Sequence, residues 1–269
     1  MNHSHPSAPA ACPQIAVIVP ACNEEACLGA VLVELLAALD PGKYVVAVGV
    51  NDSFDRTAQI ARKYPVLVGE TRERGYGHGC RAAIEAVTKA WPDVGAYVFF
   101  AGDGASDPHD IGRLVAAYER GSQMVLGART GRRANWRTMG FSHVLANVAL
   151  ACWCGLLTGR RFTDLAPLRL IERRLFEAIE PREMTFGWTI EAQIAAAMLG
   201  ATIEEVSAKE RSRLAGEQKV SGVTWRRTVL IGCRILAAGW RTRTRSARVA
   251  AAASLAAAPE MLPQSQSGA

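Results

Sequence analysis

The chain reads as an α/β protein: a mostly parallel sheet with helices on both faces, plus an amphipathic helix near its C-terminal end. Three observations predict this. Short apolar runs alternate with helix-spaced segments through the first 130 residues. The runs are continuously apolar rather than alternating, as strands buried on both sides must be. Polar and glycine residues then gather at the ends of successive runs, where an open α/β sheet binds its ligands. A length of 269 residues with 49% apolar content suffices for one substantial core.

Taken in order, Ile15–Pro20 is the first strand and Cys27–Leu39 the first helix. Tyr44–Val50 is a strand, and Asp55–Lys63 a helix opened by its own Asp55. Pro65–Gly69 and Ala96–Ala101 are strands on either side of a helix over His78–Trp91. Asp107-Pro108 opens a helix over His109–Arg120, and Gln123–Gly127 is the next strand. Beyond Ala128 the pattern changes. Arg129–Met139 is basic and polar and reads as a loop, followed by an apolar helix over Gly140–Thr158. Leu168–Ile171 is a short strand, Arg174–Ile179 and Thr189–Leu199 are helices, and Ala201–Val206 is a last strand. Trp225–Trp240 is two-faced, with Trp225, Val229, Leu236 and Trp240 set against Arg226, Arg227 and Arg234. The expected organisation is a disordered N-terminus (1–14), one folded domain (15–222), a basic amphipathic helix suited to a membrane interface (223–245) and a disordered Ala- then Pro/Gln/Ser-rich tail (246–269).

Net charge is +6, concentrated between Lys209 and Arg245, which favours anionic partners. That segment offers no ladder of interleaved aromatic stacking positions, so nucleic acid is not the expected partner. Seven cysteines, with no Cys-x-x-Cys pair, are scattered through apolar segments and read as reduced, packed thiols of a cytosolic protein. The stretch Met1–Cys12 is polar, and Val144–Thr158, the longest uncharged apolar run, is shorter than the roughly 20 residues that cross a bilayer. Peripheral contact at the inner face of the membrane is therefore expected rather than a span, with Arg241, Arg243 and Arg245 adding attraction to anionic lipid.

Four polar loops carry the chemistry. Pro20-Ala21-Cys22-Asn23-Glu24-Glu25 and Asn51-Asp52-Ser53-Phe54-Asp55-Arg56-Thr57 each follow a strand directly. Arg74-Gly75-Tyr76-Gly77-His78-Gly79 opens a helix with glycines, a setting that favours phosphate. Phe99-Phe100-Ala101-Gly102-Asp103-Gly104-Ala105-Ser106-Asp107-Pro108 delivers carboxylates at a strand end, where they can hold a hard cation. Asp107 doubles as a helix start. The glycines do not form the Gly-x-Gly-x-x-Gly dinucleotide fingerprint.

In this order the motifs resemble the inverting family 2 glycosyltransferases. Thr163-Asp164-Leu165-Ala166-Pro167-Leu168-Arg169, Phe186-Gly187-Trp188-Thr189-Ile190-Glu191 and Arg213-Leu214-Ala215-Gly216-Glu217-Gln218-Lys219 extend the similarity toward dolichol-phosphate-mannose synthase and bacterial polyprenyl-phosphate glycosyltransferases. The resemblance spans Ile15 to Trp240. It implies a GT-A fold, a nucleotide-diphosphate sugar donor, Mg²⁺ or Mn²⁺, and a polyprenyl-phosphate acceptor. It further implies that Pro20, Asn23, Glu24 and Asp52 lie near the nucleoside and that Asp103 is the metal ligand, with Asp107 a second candidate. From their own chemistry, Gly77 in the glycine loop and the forks of Arg129 and Arg169 are candidates to bind donor or acceptor phosphates. Asp164 and Glu191 are candidate bases, and Arg213 and Lys219 position phosphate. Two positions depart from the family pattern: Val50 and Ala101 stand where Asp is usual. That departure leaves open a nucleotide-sugar-binding protein without turnover, and a soluble or protein acceptor is a further alternative to the lipid.

Overall fold

A computed structural model describes residues 14–214 and 225–256, and within the last helix the side chains of residues 230–247. The strands are β1 (Ile15–Ala21), β2 (Tyr44–Asn51), β3 (Leu67–Thr71), β4 (Ala96–Phe99), β5 (Met124–Ala128), β6 (Arg169–Glu172) and β7 (Ile203–Ser207). The helices are α1 (Leu28–Ala38), α2 (Thr57–Ala61), α3 (Tyr76–Ala90), α4 (Ile111–Glu119), α5 (Arg133–Met139), α6 (Phe141–Thr158), α7 (Arg173–Ile179), α8 (Trp188–Met198) and α9 (Trp225–Ala256).

The strands join in one sheet of order β3-β2-β1-β4-β6-β5-β7. Every pairing is parallel except those of β6, which runs antiparallel to both β4 and β5. Residues along β1 divide between two cores. Ile15, Val17 and Val19 pack with α1 and α4, whereas Ala16 and Ile18 pack with α3, α6 and α8. This division is why the strands read as continuous apolar runs. On the second face α3 lies directly on the sheet. A Cβ at Gly49 would sit 1.8 Å from the Gly79 carbonyl oxygen, and one at Gly69 2.0 Å from that of Ala82. Only glycine permits that approach.

Three expectations need correcting. Arg129–Met139 is not all loop: Arg133–Met139 is helical. Asn135 donates to the carbonyls of Arg129 and Ala208, and the Trp136 indole to that of Thr130, bonds that polarity alone does not announce. The last helix reaches Ala256, because the Ala-rich stretch assigned to a disordered tail has the highest helix propensity of any composition. Finally, α6 has 18 residues and among the described residues is the one helix long and apolar enough to cross a membrane by length and composition. The expected disorder of residues 1–13 and 257–269 lies outside the described residues.

Candidate active site

The chain leaves β1 outward through β2 and β3, then returns to place β4 on the other side of β1. Such a reversal opens a crevice between the carboxyl ends of the two strands, where open α/β sheets bind ligands. Here the crevice lies between the β1 loop carrying Asn23 and Glu24 and the β4 loop carrying Asp103.

The first two loops hold one another. Backbone N–H groups of Asn23, Glu24 and Glu25 donate to Ser53 Oγ, Thr57 Oγ1 and Asp55 Oδ2 at 3.0, 2.8 and 3.1 Å. In return the N–H groups of Phe54 and Arg56 donate to Asn23 Oδ1 and Glu25 Oε2, each at 3.0 Å. Asn23 and Asp52 adopt left-handed backbone, with φ of 52° and 44°. Such conformations are costly for residues other than glycine and persist where the surroundings enforce them. Beside them Val50, Asp52, Ser53, Phe54, Glu70, Thr71 and Arg72 line a cavity of about 560 Å³ at the ends of β2 and β3. Phe54 is 90% exposed at its mouth, and Pro20 is buried inside β1.

The third wall is a strap. Residues 208–214 cross the Asp103 loop: the Arg211 N–H bonds the Ala105 carbonyl at 2.7 Å, Ser106 pairs with Glu210 as an isolated bridge, and the Leu214 N–H bonds the Asp103 carbonyl at 3.2 Å. The strap sets Arg213 over the crevice. Its Nε lies 3.1 Å from Asp103 Oδ2 and its Nη2 3.7 Å from Glu24 Oε1. One guanidinium thus bridges carboxylates from both strand ends. Asp107, in contrast, is the N-cap of the turn at Pro108–Asp110, accepts from the His109 N–H at 3.2 Å and faces Lys209 at 3.5 Å. Partial burial acts to raise its carboxyl, but the His109 hydrogen bonds and the Arg211 and Lys209 charges outweigh it and hold it below the usual range. Among the described residues no group of three or more His, Cys, Asp or Glu side chains is gathered to hold a metal. A cation here would take Asp103 and complete its shell from ligand and water oxygens.

Several predicted site residues stand elsewhere. Asp164 is fully buried and grips Arg129, which donates from its backbone N–H, Nε and Nη2 at 2.9, 2.9 and 3.1 Å. Both members of that pair are engaged with each other rather than presented to a ligand. Burial also pushes the neighbouring Glu210 carboxyl upward, although Arg129 opposes it. Arg169 is buried in the core, with its guanidinium on the carbonyls of Ala166 and Thr189, and burial lowers it to about 10. The fully buried Glu191 accepts from the N–H groups of Arg182 and Glu183 at 2.9 and 2.7 Å and pairs with Arg245 of α9 at 2.9 Å. The Gly77 N–H donates to the Met184 carbonyl at 2.9 Å, and a Cβ there would lie 2.5 Å from the Trp188 ring. Packing, not phosphate, accounts for that glycine. Lys219 lies outside the described residues.

The membrane-facing arginines of the expectation also have other work. Arg241 pairs with Glu183, Arg243 donates to the Leu157 carbonyl, and Arg245 holds Glu191. Ser53, Asp55 and Thr57 lie in a loop the sequence singled out, but their bracing of the Asn23 loop was not legible in it. The strap residues Lys209 to Arg211 were missed, their only signal being polarity in a loop.

Residues 16–176 match the family profile described as glycosyl transferase family 2. A dolichyl-phosphate hexose transferase of Haloferax volcanii is 32% identical over 207 residues, covering 77% of this chain and 86% of that protein. An uncharacterized glycosyltransferase of Mycobacterium tuberculosis is 29% identical over 210 residues, covering 77% of this chain and 90% of that one. Among solved structures, glucosyl-3-phosphoglycerate synthase of M. tuberculosis, in complex with Mn²⁺, UDP-glucose and phosphoglyceric acid, superposes with a TM-score of 0.62 at 18% identity, over 86% of this chain and 80% of its own. The sheet and its helices are those of the GT-A fold, and the chain belongs to glycosyl transferase family 2.

Proposed function

We propose that this family 2 glycosyltransferase moves a hexose, with inversion, from a nucleotide-diphosphate sugar to a polyprenyl phosphate at the cytoplasmic face of a membrane. The observation that carries the reading is the Asp103–Arg213–Glu24 bridge across the crevice between β1 and β4. A carboxylate facing a cation that an incoming ligand can displace suits a metal-bound diphosphate, and Asp103 is the residue to hold Mg²⁺ or Mn²⁺. Bound there, the metal would neutralise charge that develops on the departing diphosphate. Arg213 then serves the same charge from the opposite side, since its planar fork matches phosphate oxygens. Lys219, in the same segment, is proposed to assist it. Asn23, Glu24 and Asp52 would line the nucleoside side, next to the cavity under Phe54.

Two things favour a phosphate acceptor. The H. volcanii relative is named a dolichyl-phosphate hexose transferase. Asp164 and Glu191, the carboxylates considered as bases, are both buried in ion pairs. An alcohol acceptor requires a base to take its proton, whereas an ionised phosphate is already the nucleophile. Melting of the protein with UDP-, GDP- and dTDP-sugars, with and without Mn²⁺, identifies the donor. Ligand at a hundredfold excess over its Kd stabilises by about 2.7 kcal/mol. Transfer of labelled sugar to polyprenyl phosphate, compared with phosphoglycerate, then tests the acceptor. Transfer to the lipid phosphate that Asp103→Asn abolishes supports the reading. A metal-dependent shift without transfer to any acceptor would mean a binding protein, and a preference for phosphoglycerate would replace the lipid.

A further inference from the structure

Helix α6 has two apolar faces, and the fold uses one. Val144, Ala151, Cys154 and Leu157 are buried, the last three in the core shared with α8. Phe141, Leu145, Val148, Cys152 and Leu156 are exposed, Phe141 to 71% and Leu156 to 77%. At 100° per residue these five fall within an arc of about 80° and extend for about 22 Å along the helix. A continuous stripe of that kind marks an interaction surface more often than a scatter of single exposed residues does.

Charge identifies the partner. From Arg129 to Phe162 the sequence has six arginines and no Asp or Glu. Arg132, Arg133 and Arg137 precede the stripe and Arg160 and Arg161 follow it. Arg132, Arg133, Arg137 and Arg161 make no ion pair among the described residues. Since β5 is parallel to β7 and runs in the direction of β4, α5 and the start of α6 emerge at the same rim as Asp103. The helix does not cross a membrane in this fold. Its inner face belongs to the core, and Asn147 lies 3.5 Å from the Arg129 guanidinium. A second copy of the chain is disfavoured as occupant, because a two-fold contact would bring unpaired arginines against their own images.

We propose that the α6 stripe and the α5 arginines form the surface by which the enzyme lies side-on against an anionic bilayer. The inference rests on the lipid-acceptor reading for its purpose and carries that reading further by naming the face. Apolar side chains enter the acyl boundary while arginines meet lipid phosphates, as amphipathic interfacial helices do.

The test is co-sedimentation with vesicles of phosphatidylcholine alone and of phosphatidylcholine mixed with phosphatidylglycerol. Wild type should bind the mixed vesicles. Leu145→Ser/Leu156→Ser should bind at least about tenfold more weakly, through loss of two buried side chains, and Arg133→Glu/Arg137→Glu about as weakly, through loss of attraction. All positions are exposed, so melting should not change. Variants that sediment like wild type overturn the proposal, as does a concentration-dependent dimer that the Leu double variant abolishes. Transfer to a short, water-soluble isoprenyl phosphate separates the two readings. Transfer without stripe-dependent vesicle binding sinks this surface alone, and stripe-dependent binding without transfer sinks the acceptor alone.

Discussion

Two arginine–aspartate pairs stand in this molecule, and burial separates their roles. Arg213–Asp103 spans the crevice at 3.1 Å with side chains 24% and 22% exposed. Arg129–Asp164 closes at 2.9 Å with side chains 10% and 0% exposed. The first pair is partly exposed, so under the proposed function a metal and a diphosphate would divide it between them. The second is sealed, with three hydrogen bonds to one carboxylate, and it joins the two ends of the α5–α6 excursion. Under the proposed function, identical chemistry is a hinge for ligand exchange in one place and a bolt in the other.

The comparison breaks most visibly at Asp103. Asp103→Asn should lower turnover by about a hundredfold or more while leaving the melting temperature nearly unchanged, as steady-state transfer and calorimetry will read. Arg129→Ala should do the reverse. It leaves Asp164 buried without its counter-charge, at about 3–5 kcal/mol of stability in denaturant unfolding. If Arg129→Ala instead keeps its stability and loses donor binding, the bolt is misassigned. Gly77→Ala forces a methyl into the Trp188 ring and should cost about 1–3 kcal/mol, with donor affinity altered only through displacement of α3. Arg213→Ala should change stability by about 1 kcal/mol or less, since a part-exposed pair is worth little, and titration calorimetry with a nucleotide-sugar should show weaker binding.

The smallest effect is in acid. The Asp107 carboxyl is more acidic folded than its ordinary value of 3.8. The unfolded chain therefore binds more protons in that range. The contribution of this group is fully present above pH 3.8 and is lost as pH falls through the lowered folded value. Asp107→Asn should flatten the melting profile there and leave the neutral limb in place.

The parallel half of the fold was legible because its strands are buried on both faces and its loops return to one rim. The direction of β6 was not. A four-residue apolar run looks the same either way, and its sense is fixed by the path through α5 and α6. Helix α5 escaped because it is held by Asn135 and Trp136 bonding to distant carbonyls. The placement of Asn23, Glu24 and Asp103 at one rim was legible from their position after strands. Arg129, Asp164, Arg169 and Glu191 were not distinguishable from them, because a charged residue in a polar segment carries no mark of its burial. The same holds for Arg241, Arg243 and Arg245, which brace α9 on the domain. The spacing of Phe141, Leu145, Val148, Cys152 and Leu156 was present in the sequence, but one apolar helix with two apolar faces gives no periodic signal.

The antiparallel strand sets a schedule for folding. β4 and β5 are neighbours in sequence but not in the sheet, where β6 lies between them. Until residues 169–172 have been synthesised, β5 has no partner on either side, since its other neighbour β7 comes later still. The β1–β4 half can close from contacts local to it, and the rest must wait for pairings of long sequence separation, which form slowly. A chain arrested just after β5 would expose an unpaired apolar strand of the kind that aggregates.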